Sequence, residues 1–475
     1  MRHYYTAEQI RVAEAPLLAG LPDGALMRRA ATGLANAIAA ELRRRTGAVA
    51  GRQICAVVGS GNNGGDALWA AALLRRRGVA ATAILLSPDR THPGALAAFR
   101  SAGGRVVATL PAATDLVIDG VVGISGSGAL RPPAAAVFDA VEQAGIAVVA
   151  VDVPSGIDVH TGDVDGPAVR AALTVTFGGL KGVHGLAECG RIELIDIGLD
   201  LPATELLGFE AADVQACWPV PGPRDDKYTQ GVVGILAGSQ TYPGAAILCA
   251  GAAVAATSGM VRYVGTAAAE VVSHWPEVVA APDPAAAGRV QAWVVGPGLG
   301  DGDPALAALA FALRSEVPVI VDADGLTLLA ANPHLLTDRR APTVLTPHAG
   351  EYARLNHGEP PGRDRVAAAR GLAQTYGATV LLKGNVTVVA GAGAGPVYLN
   401  RAGGSWAATA GSGDVLSGIV GALLAAGLAP PQAAAAAAFV HSRAADCAAA
   451  DPGPASVPIR ASGILSHIRQ ALATL

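Results

Sequence analysis

The sequence predicts an α/β protein of two successive domains. Three observations carry the prediction. The chain has 475 residues, more than one hydrophobic core usually organises. From Ile54 to about Asp200, short apolar runs of β type alternate with helical ones, the pattern of a parallel sheet covered on both faces. The alternation stops at a stretch rich in proline and charge, CWPVPGPRDDKYTQG, and then restarts.

The elements follow in order. TAEQIRVAEAPLLAGLPDGALMRRAATGLANAIAAELRRR reads as two helices packed onto the first sheet. ICAVVGS, ATAILLS, DLVIDGVVG and AVVAVDVPSG read as strands, with DALWAAALLRRRG, GALAAFRSAGG and AAAVFDAVEQAG as the helices between them. Pro219, Pro221 and Pro223 mark the linker, so the domains are expected at residues 1–215 and 222–475. In the second, GVVGILAGS, AWVVGPGLG, PVIVDADGL, PTVLTPHAGE and TVLLKGNVTVVAG supply strands, and helices follow Gly411.

Composition excludes several classes. Charged residues are only 15% and the net charge is −4, which argues against a nucleic-acid binder with a basic face. Five cysteines with no CxxC pair fit a reducing cytoplasm. Charges stand in the N-terminal stretch where a signal peptide would need its apolar core. No Asp, Glu, Lys or Arg lies between Asp414 and Arg443, but Pro430 and Pro431 interrupt that run. It is read as two buried helices, not a membrane span.

The chemistry of the first half begins at VVGSGNNGGDAL. Gly59, Gly61, Gly64 and Gly65 permit unusual backbone conformations and close approach to a ligand. Amides gathered before a helix would favour an anion. Asn62 and Asn63 add neutral oxygens and amide donors suited to a substrate or a weakly held monovalent cation. Asp119 and Asp152 each follow an apolar run, so each should stand at the carboxyl end of a strand, where open α/β sheets bind ligands. Three loops then converge: Asn62–Asp66, Asp119–Ala129 and Asp152–Asp158.

GSGNNGGDA, VIDGVVGISGSG, VDVPSGIDVHTG and TVTFGGLKGVHG together resemble the epimerase domain of NAD(P)H-hydrate repair proteins, over roughly residues 1–215. The resemblance implies a Rossmann-like three-layer αβα fold. It implies interconversion of the R and S forms of hydrated NADH or NADPH, which carry a hydroxyl at C6 of the nicotinamide ring. It also implies a K+ ion at Asn63, Asp119 and Ser155. Substrate contacts fall on Asn62, Asn63, Gly64, Gly65 and Asp66, on Gly123, Ile124, Ser125, Gly126, Ser127, Gly128 and Ala129, and on Asp152. Asp119 is expected to shuttle the proton as the hydroxyl leaves and water returns, with Lys181 as electrostatic partner. The chain departs from the family at Ala67, where glycine is usual, and at Arg28 and Arg29, which replace an acid and an amide.

In the second half AATAGSGDVLSG is the strongest signal. Gly411, Ser412 and Gly413 precede Asp414 at the start of an apolar helix, whose free amides would hold a phosphate. Lys383 and Gly384, Asp322 and Asp324, and His348 and Glu351 follow apolar runs at strand ends.

KYTQGVVGILAGS, YPGAAILCAGAA, GPGLG, DADGL, LTPHAGE and GSGDVLSG occur in the order found in the dehydratase of the same repair system, which these segments resemble over roughly residues 222–475. The resemblance implies a ribokinase-like fold and removal of water from the S hydrate with ADP as co-substrate, with Mg2+, releasing AMP and phosphate. Ala246, Gly298, His348 and Asp414 match hydrate contacts. Lys383, Gly384, Asn385, Val386, Thr387 and Gly413 match nucleotide contacts. Asp414 would activate the C6 hydroxyl for phosphorylation, after which phosphate leaves. Trp406 stands where the family tends to have methionine, and reads either as a stacking platform or as a packing residue.

Two other readings stand beside this one. A ribokinase-like kinase for a small alcohol could be fused to a nucleotide-binding module, or the first domain could be a non-catalytic binding platform. The expected partners are small molecules, with neither nucleic acid nor membrane, and the expected assembly is a homo-oligomer.

Overall fold

The computed structural model describes residues 1–124, 126, 128–257 and 259–475. The chain divides into two compact units, one of residues 3–204 and one of residues 205–475 with Met1 and Arg2.

In the first unit a short strand β1 (Arg2–Tyr5) leads into helices α1 (Ala7–Gly20) and α2 (Ala25–Thr46). Then come β2 (Gln53–Val58), α3 (Asn62–Arg75), β3 (Ala80–Leu85), α4 (Pro93–Ser101), β4 (Arg105–Val106), β5 (Leu116–Gly120), α5 (Pro132–Gln143) and β6 (Ala147–Val151). The unit closes with β7 (Leu173–Phe177), β8 (Leu180–Lys181), α6 (Val183–Leu186) and β9 (Arg191–Ile195). Seven strands pair in parallel in the order β4-β3-β2-β5-β6-β7-β9. Strand alternation makes two cores. Ile54, Ala56 and Val58 of β2 join Leu34, Ile38 and Leu42 of α2, while Cys55 and Val57 join Phe138 and Val141 of α5. Each fully buried Leu or Ile contributes about 1.5–3 kcal/mol, enough to hold helices on both faces. The expected three-layer αβα arrangement is therefore present. α2 ends at Gly47, left-handed at φ 78°, after Arg43, Arg44 and Arg45 in the last turn; both features favour a helix C-terminus.

The second unit opens with β10 (Leu206–Gly208) and α7 (Ala211–Cys217). It continues through β11 (Val232–Leu236), α8 (Pro243–Ala256), β12 (Met260–Val264), α9 (Ala268–His274), β13 (Val279–Ala281), β14 (Ala292–Val295), α10 (Asp303–Arg314), β15 (Val319–Val321) and α11 (Asp324–Ala331). Next are β16 (Thr343–Leu345), α12 (Ala349–Leu355), α13 (Arg365–Tyr376), β17 (Thr379–Leu382), β18 (Val386–Ala390) and β19 (Val397–Arg401). Helices α14 (Ser412–Ala425), α15 (Pro430–Ala450) and α16 (Ala461–Ala473) finish the chain. The order β13-β12-β11-β14-β15-β16-β17 is parallel; β18 and β19 continue it antiparallel, and β10 lies parallel to β19.

The abundance of alanine and glycine has a packing reason here. A Cβ on Gly418 of α14 would collide with the Cys249 carbonyl of α8, so the two helices approach backbone to backbone. The charge-free run forms α14 and α15, both largely buried. No described helix is long and apolar enough to cross a membrane.

The expected domain linker shifts upstream. β10 pairs with β19, Phe209 and Val214 enter the core of the second unit, and the Trp218 ring nitrogen donates to Ala256 O at 3.1 Å. The prolines at 219–223 therefore follow the boundary between units and do not form it.

Candidate functional sites

In the first unit the strand order reverses between β2 and β5. The β2–α3 and β5–α5 connections thus part above the strands' carboxyl ends and open a crevice. The glycine-rich segment is not a free loop. Asn62, Asn63, Gly64 and Gly65 form the first turn of α3, and none of Gly59, Gly61, Gly64 and Gly65 has positive φ. Two of the glycines are needed for close approach: a Cβ on Gly59 would collide with Val121 O, and one on Gly64 would lie 2.5 Å from Gly59 O.

Asn63 Nδ2 ties the crevice together, donating to Val122 O at 3.0 Å and Val151 O at 2.6 Å. Asp119, at the end of β5, has no exposed surface. It accepts from Ser155 Oγ at 2.7 Å, Ser155 N at 2.8 Å and Val121 N at 3.2 Å. Burial still pushes its pKa up to about 6. Ser155 Oγ in turn accepts from Val122 N at 3.0 Å. Asn63 and Ser155 are thus joined through one residue, Val122, and Asp119 through Ser155, a group that offers side-chain oxygens with one carboxylate.

Lys181, expected from the sequence to partner Asp119, is bound to Asp152 instead. Its Nζ donates to Asp152 Oδ1 at 2.6 Å, to Thr176 Oγ1 at 2.8 Å and to Phe177 O at 3.0 Å, all buried. Burial opposes the Asp152 charge, yet Lys181 and its neighbours hold the carboxyl below its ordinary range. Asp152 also takes φ 70°, a conformation uncommon outside glycine. Behind it His184 accepts from Lys181 N through Nδ1 at 2.9 Å, so Nε2 carries the proton toward Asp152 O, also at 2.9 Å. Burial, then the Lys181 charge, lowers His184 to about 4. Asp66 faces the same crevice from α3; burial and then the charges of Asp152 and Glu14 raise its pKa well above normal.

Gly123, Ile124, Gly126, Gly128 and Ala129 lie on the connection after β5, and Gly123 packs on the Asn63 carboxamide. Ser125 and Ser127 lie outside the described residues. Arg28 and Arg29 donate to Asp23 O and Ile197 O, so both are engaged by backbone carbonyls.

In the second unit a cavity of about 510 Å3 is lined by His348, Lys383, Gly384, Asn385, Thr387 and Gly413 among others. Val386, between two of these, is buried and does not line it. Lys383 connects the cavity to a cluster of acids. Its Nζ lies 2.8 Å from Asp322 Oδ1 and 3.4 Å from Glu351 Oε2. Burial works against its charge, but the two carboxylates raise its pKa. Ser417 Oγ holds the other Asp322 oxygen at 2.8 Å. Asp414, in the first turn of α14, is half-buried. Burial and then Asp322 push it up to about 7 against the pull of Lys383. Gly411 caps that helix at φ 84°, a left-handed position suited to glycine.

The expected hydrate contacts stand as follows. Ala246 has no exposed surface; its Cβ backs Gly238, so its side chain is not available to a ligand. Gly298 follows β14, is partly exposed, and takes φ 59° with Tyr242 and Ala245 against it. His348 lines the cavity, but its Nδ1 caps α12, accepting from Gly350 N and Glu351 N. Trp406 is 39% exposed, which does not suit a core packing residue.

Sequence reasoning missed His441 and Asn400, both in the cavity wall. His441 Nε2 meets Ser412 Oγ at 3.1 Å and Ser412 O at 3.0 Å, and burial lowers its pKa to about 4. A histidine inside an otherwise alanine-rich helix was the available signal.

Comparison with known proteins matches residues 233–467 to the NAD(P)H-hydrate dehydratase family and residues 23–183 to the YjeF-related protein N-terminus family. The chain is 70% identical, over all 475 residues and the whole of both chains, to the bifunctional NAD(P)H-hydrate repair enzyme of Mycobacterium leprae. A ribokinase-like superfamily protein from Enterococcus faecalis superposes with TM-score 0.52 at 21% identity, covering 58% of this chain and 98% of that one. An ADP/ATP-dependent NAD(P)H-hydrate dehydratase from Bacillus subtilis, co-crystallized with ATP/Mg2+, gives TM-score 0.50 at 24% identity, covering 57% and 99%. These two establish the ribokinase-like fold of the second unit.

Proposed function

Because the chain belongs to the family of bifunctional NAD(P)H-hydrate repair enzymes, we propose the following division of labour. The first unit epimerises hydrated NADH and NADPH at C6, and the second dehydrates the S form with ADP, releasing AMP and phosphate. The pairing of two acid-bearing sites in one chain carries this reading, because the product of the first is the substrate of the second. Full-length likeness to a repair enzyme favours it over a small-alcohol kinase or a non-catalytic platform.

In the first unit the proton work falls to Asp152, held ionised by Lys181. Asp119 serves the neighbouring cation-binding group instead. Asn63, Asp119 and Ser155 fit K+ by donor chemistry, being oxygen ligands with one carboxylate. A monovalent cation there would offset the Asp119 charge that burial disfavours.

In the second unit the cavity takes ADP, with Lys383 and the amides of Gly413 and its neighbours meeting the phosphates. Asp414 accepts the proton of the C6 hydroxyl as that oxygen attacks the β-phosphorus. Phosphate then leaves from C6, driven by the N1 lone pair, while AMP is the nucleotide product. Among the described residues no three acidic, histidine or cysteine side chains are placed to hold a metal ion together. Mg2+ would therefore be carried chiefly by the phosphates, with one or two carboxylates.

The test is nicotinamide absorbance when full-length protein meets an R/S hydrate mixture with ADP, Mg2+ and K+. Conversion of the whole mixture, faster than spontaneous epimerisation permits, is expected. Arrest at the S share would remove the epimerase, and no ADP-dependent rise would remove the dehydratase.

A further inference from the structure

The epimerase crevice gathers Asp66, Asp152 and Glu14 around a single buried lysine. Lys181 is committed to Asp152 at 2.6 Å. Asp66 receives no such partner: it is 7% exposed, and its Oδ1 is fully buried without a hydrogen bond. A carboxylate in that position would leave an uncompensated charge beside another carboxylate, which is strongly unfavourable. Among the described residues the charges that act on the Asp66 carboxyl are those of Asp152 and Glu14, both negative. Arg28 and Arg29 of α2 are engaged with carbonyls, and His92, beside Gly65, uses Nδ1 to accept from Ala95 N. Asp119 of β5 is occupied by Ser155 and Val121, and His184 lies behind Asp152. Glu14 of α1 adds negative charge to the crevice.

We infer that Asp66 is a second catalytic residue of the epimerase, a neutral carboxylic acid that protonates the departing C6 hydroxyl while Asp152 receives the proton of the incoming water. The inference rests on the epimerase reading of this unit. Epimerisation through loss and return of water needs an acid for one face of C6 and a base for the other. A pair of carboxyls driven in opposite directions by their surroundings supplies both. The step balances. The Asp66 proton passes to the C6 oxygen, and the C6–O bond breaks with its electron pair leaving on water. The N1 lone pair closes a C6=N1 double bond. Water then adds to the opposite face, the π pair returns to N1, and the proton shed by that water goes to Asp152. Proton exchange between the carboxyls through solvent resets the site, and the same steps in reverse carry the other epimer. Burial, then Asp152 and Glu14, raise the Asp66 pKa, consistent with a neutral acid at neutral pH.

The test uses the full chain and the R hydrate, reading epimerisation by direct separation of the epimers. Asp66→Asn keeps a neutral polar group of the same shape, so it should fold. It should lower the epimerase rate by ~10^2-fold or more, in the usual range for a general acid. Dehydration of S hydrate should be unchanged. The wild-type rate should fall at alkaline pH as Asp66 ionises, and that limb should vanish in the variant. Infrared difference spectra of wild type against Asp66→Asn at neutral pH should show the C=O stretch of a protonated carboxylic acid. A wild-type rate and pH profile in the variant, or a carboxylate band in place of the acid band, would overturn the assignment. No acceleration by the wild-type protein would instead sink the epimerase reading itself.

Discussion

Lys181 is a cation with almost no contact with solvent, held by Asp152, Thr176 and Phe177 O. Removing one partner of such a pair leaves a buried charge, at a cost of about 3–5 kcal/mol. Lys181→Met should therefore lower the unfolding midpoint of the first unit and abolish epimerisation. Adding Asp152→Asn to it should restore much of the stability and none of the activity, a contrast that denaturant melts and epimer assays would read together. Asp414 supports a pH prediction. Its pKa near 7 lies well above the ordinary value of about 4. As a base it must be ionised, so the dehydratase rate should rise with pH and level off above about 7. Asp414→Asn should abolish the dehydratase rate across this pH range. Stability runs the other way. A folded pKa above the unfolded one means the folded state binds protons more tightly, so stability falls as pH rises through the interval between them. Asp119 near 6 and Asp414 near 7 act in this sense, whereas the buried His184 and His441, lowered to about 4, oppose them below about pH 6.5, so the midpoint of the second unit should decline clearly only between about pH 6.5 and 7. If K+ offsets Asp119, exchanging Na+ for K+ should recover more stability near pH 8 than near pH 5.

At the scale of elements, α8 and α14 depend on Gly418. A leucine there would drive the helices apart against the Cys249 carbonyl and Ala252. Overpacking of this kind costs about 1–3 kcal/mol and more where backbone blocks relaxation. Gly418→Leu should lower the melting temperature of the second unit and, by displacing the first turn of α14, suppress dehydration; calorimetry and the ADP-dependent assay would show both. The same helices mark how far the sequence could be read. Strands such as ICAVV are apolar throughout because both faces are covered, and helices such as α5 alternate with them, so the layer order was legible. The places of Asp119 and Asp152 at strand ends were legible too, because strand ends in open α/β sheets face ligands, and so was that of Asp414 at a helix start. What periodicity could not convey was pairing across the fold. Lys181 is 29 residues from Asp152 and 62 from Asp119, and only the register of β7 beside β6 brings Thr176 and Lys181 to the former. Asn62–Gly65 read as a loop because glycine is a poor helix former, whereas the need for α3 to approach Gly59 outweighs that propensity. His441 escaped because its partner, Ser412, lies across the contact between α14 and α15.

For the whole molecule, the two units have separate cores and separate acid-bearing sites, so the two activities should be lost independently. Asp152→Asn should stop epimerisation while leaving ADP-dependent dehydration of S hydrate at its wild-type rate. Asp414→Asn should do the reverse. An R/S mixture then distinguishes them. With Asp152→Asn, absorbance should rise quickly and stop at the S share, and continue only at the spontaneous epimerisation rate. With Asp414→Asn it should not rise at all, although the epimers should still equilibrate. Mixing the two variants in equal amounts should restore full conversion, because free S hydrate can diffuse from one intact site to the other. A mixture that still stopped at the S share would show that the intermediate does not pass between separate chains. Independent units joined by diffusion would then be the wrong description of the repair cycle.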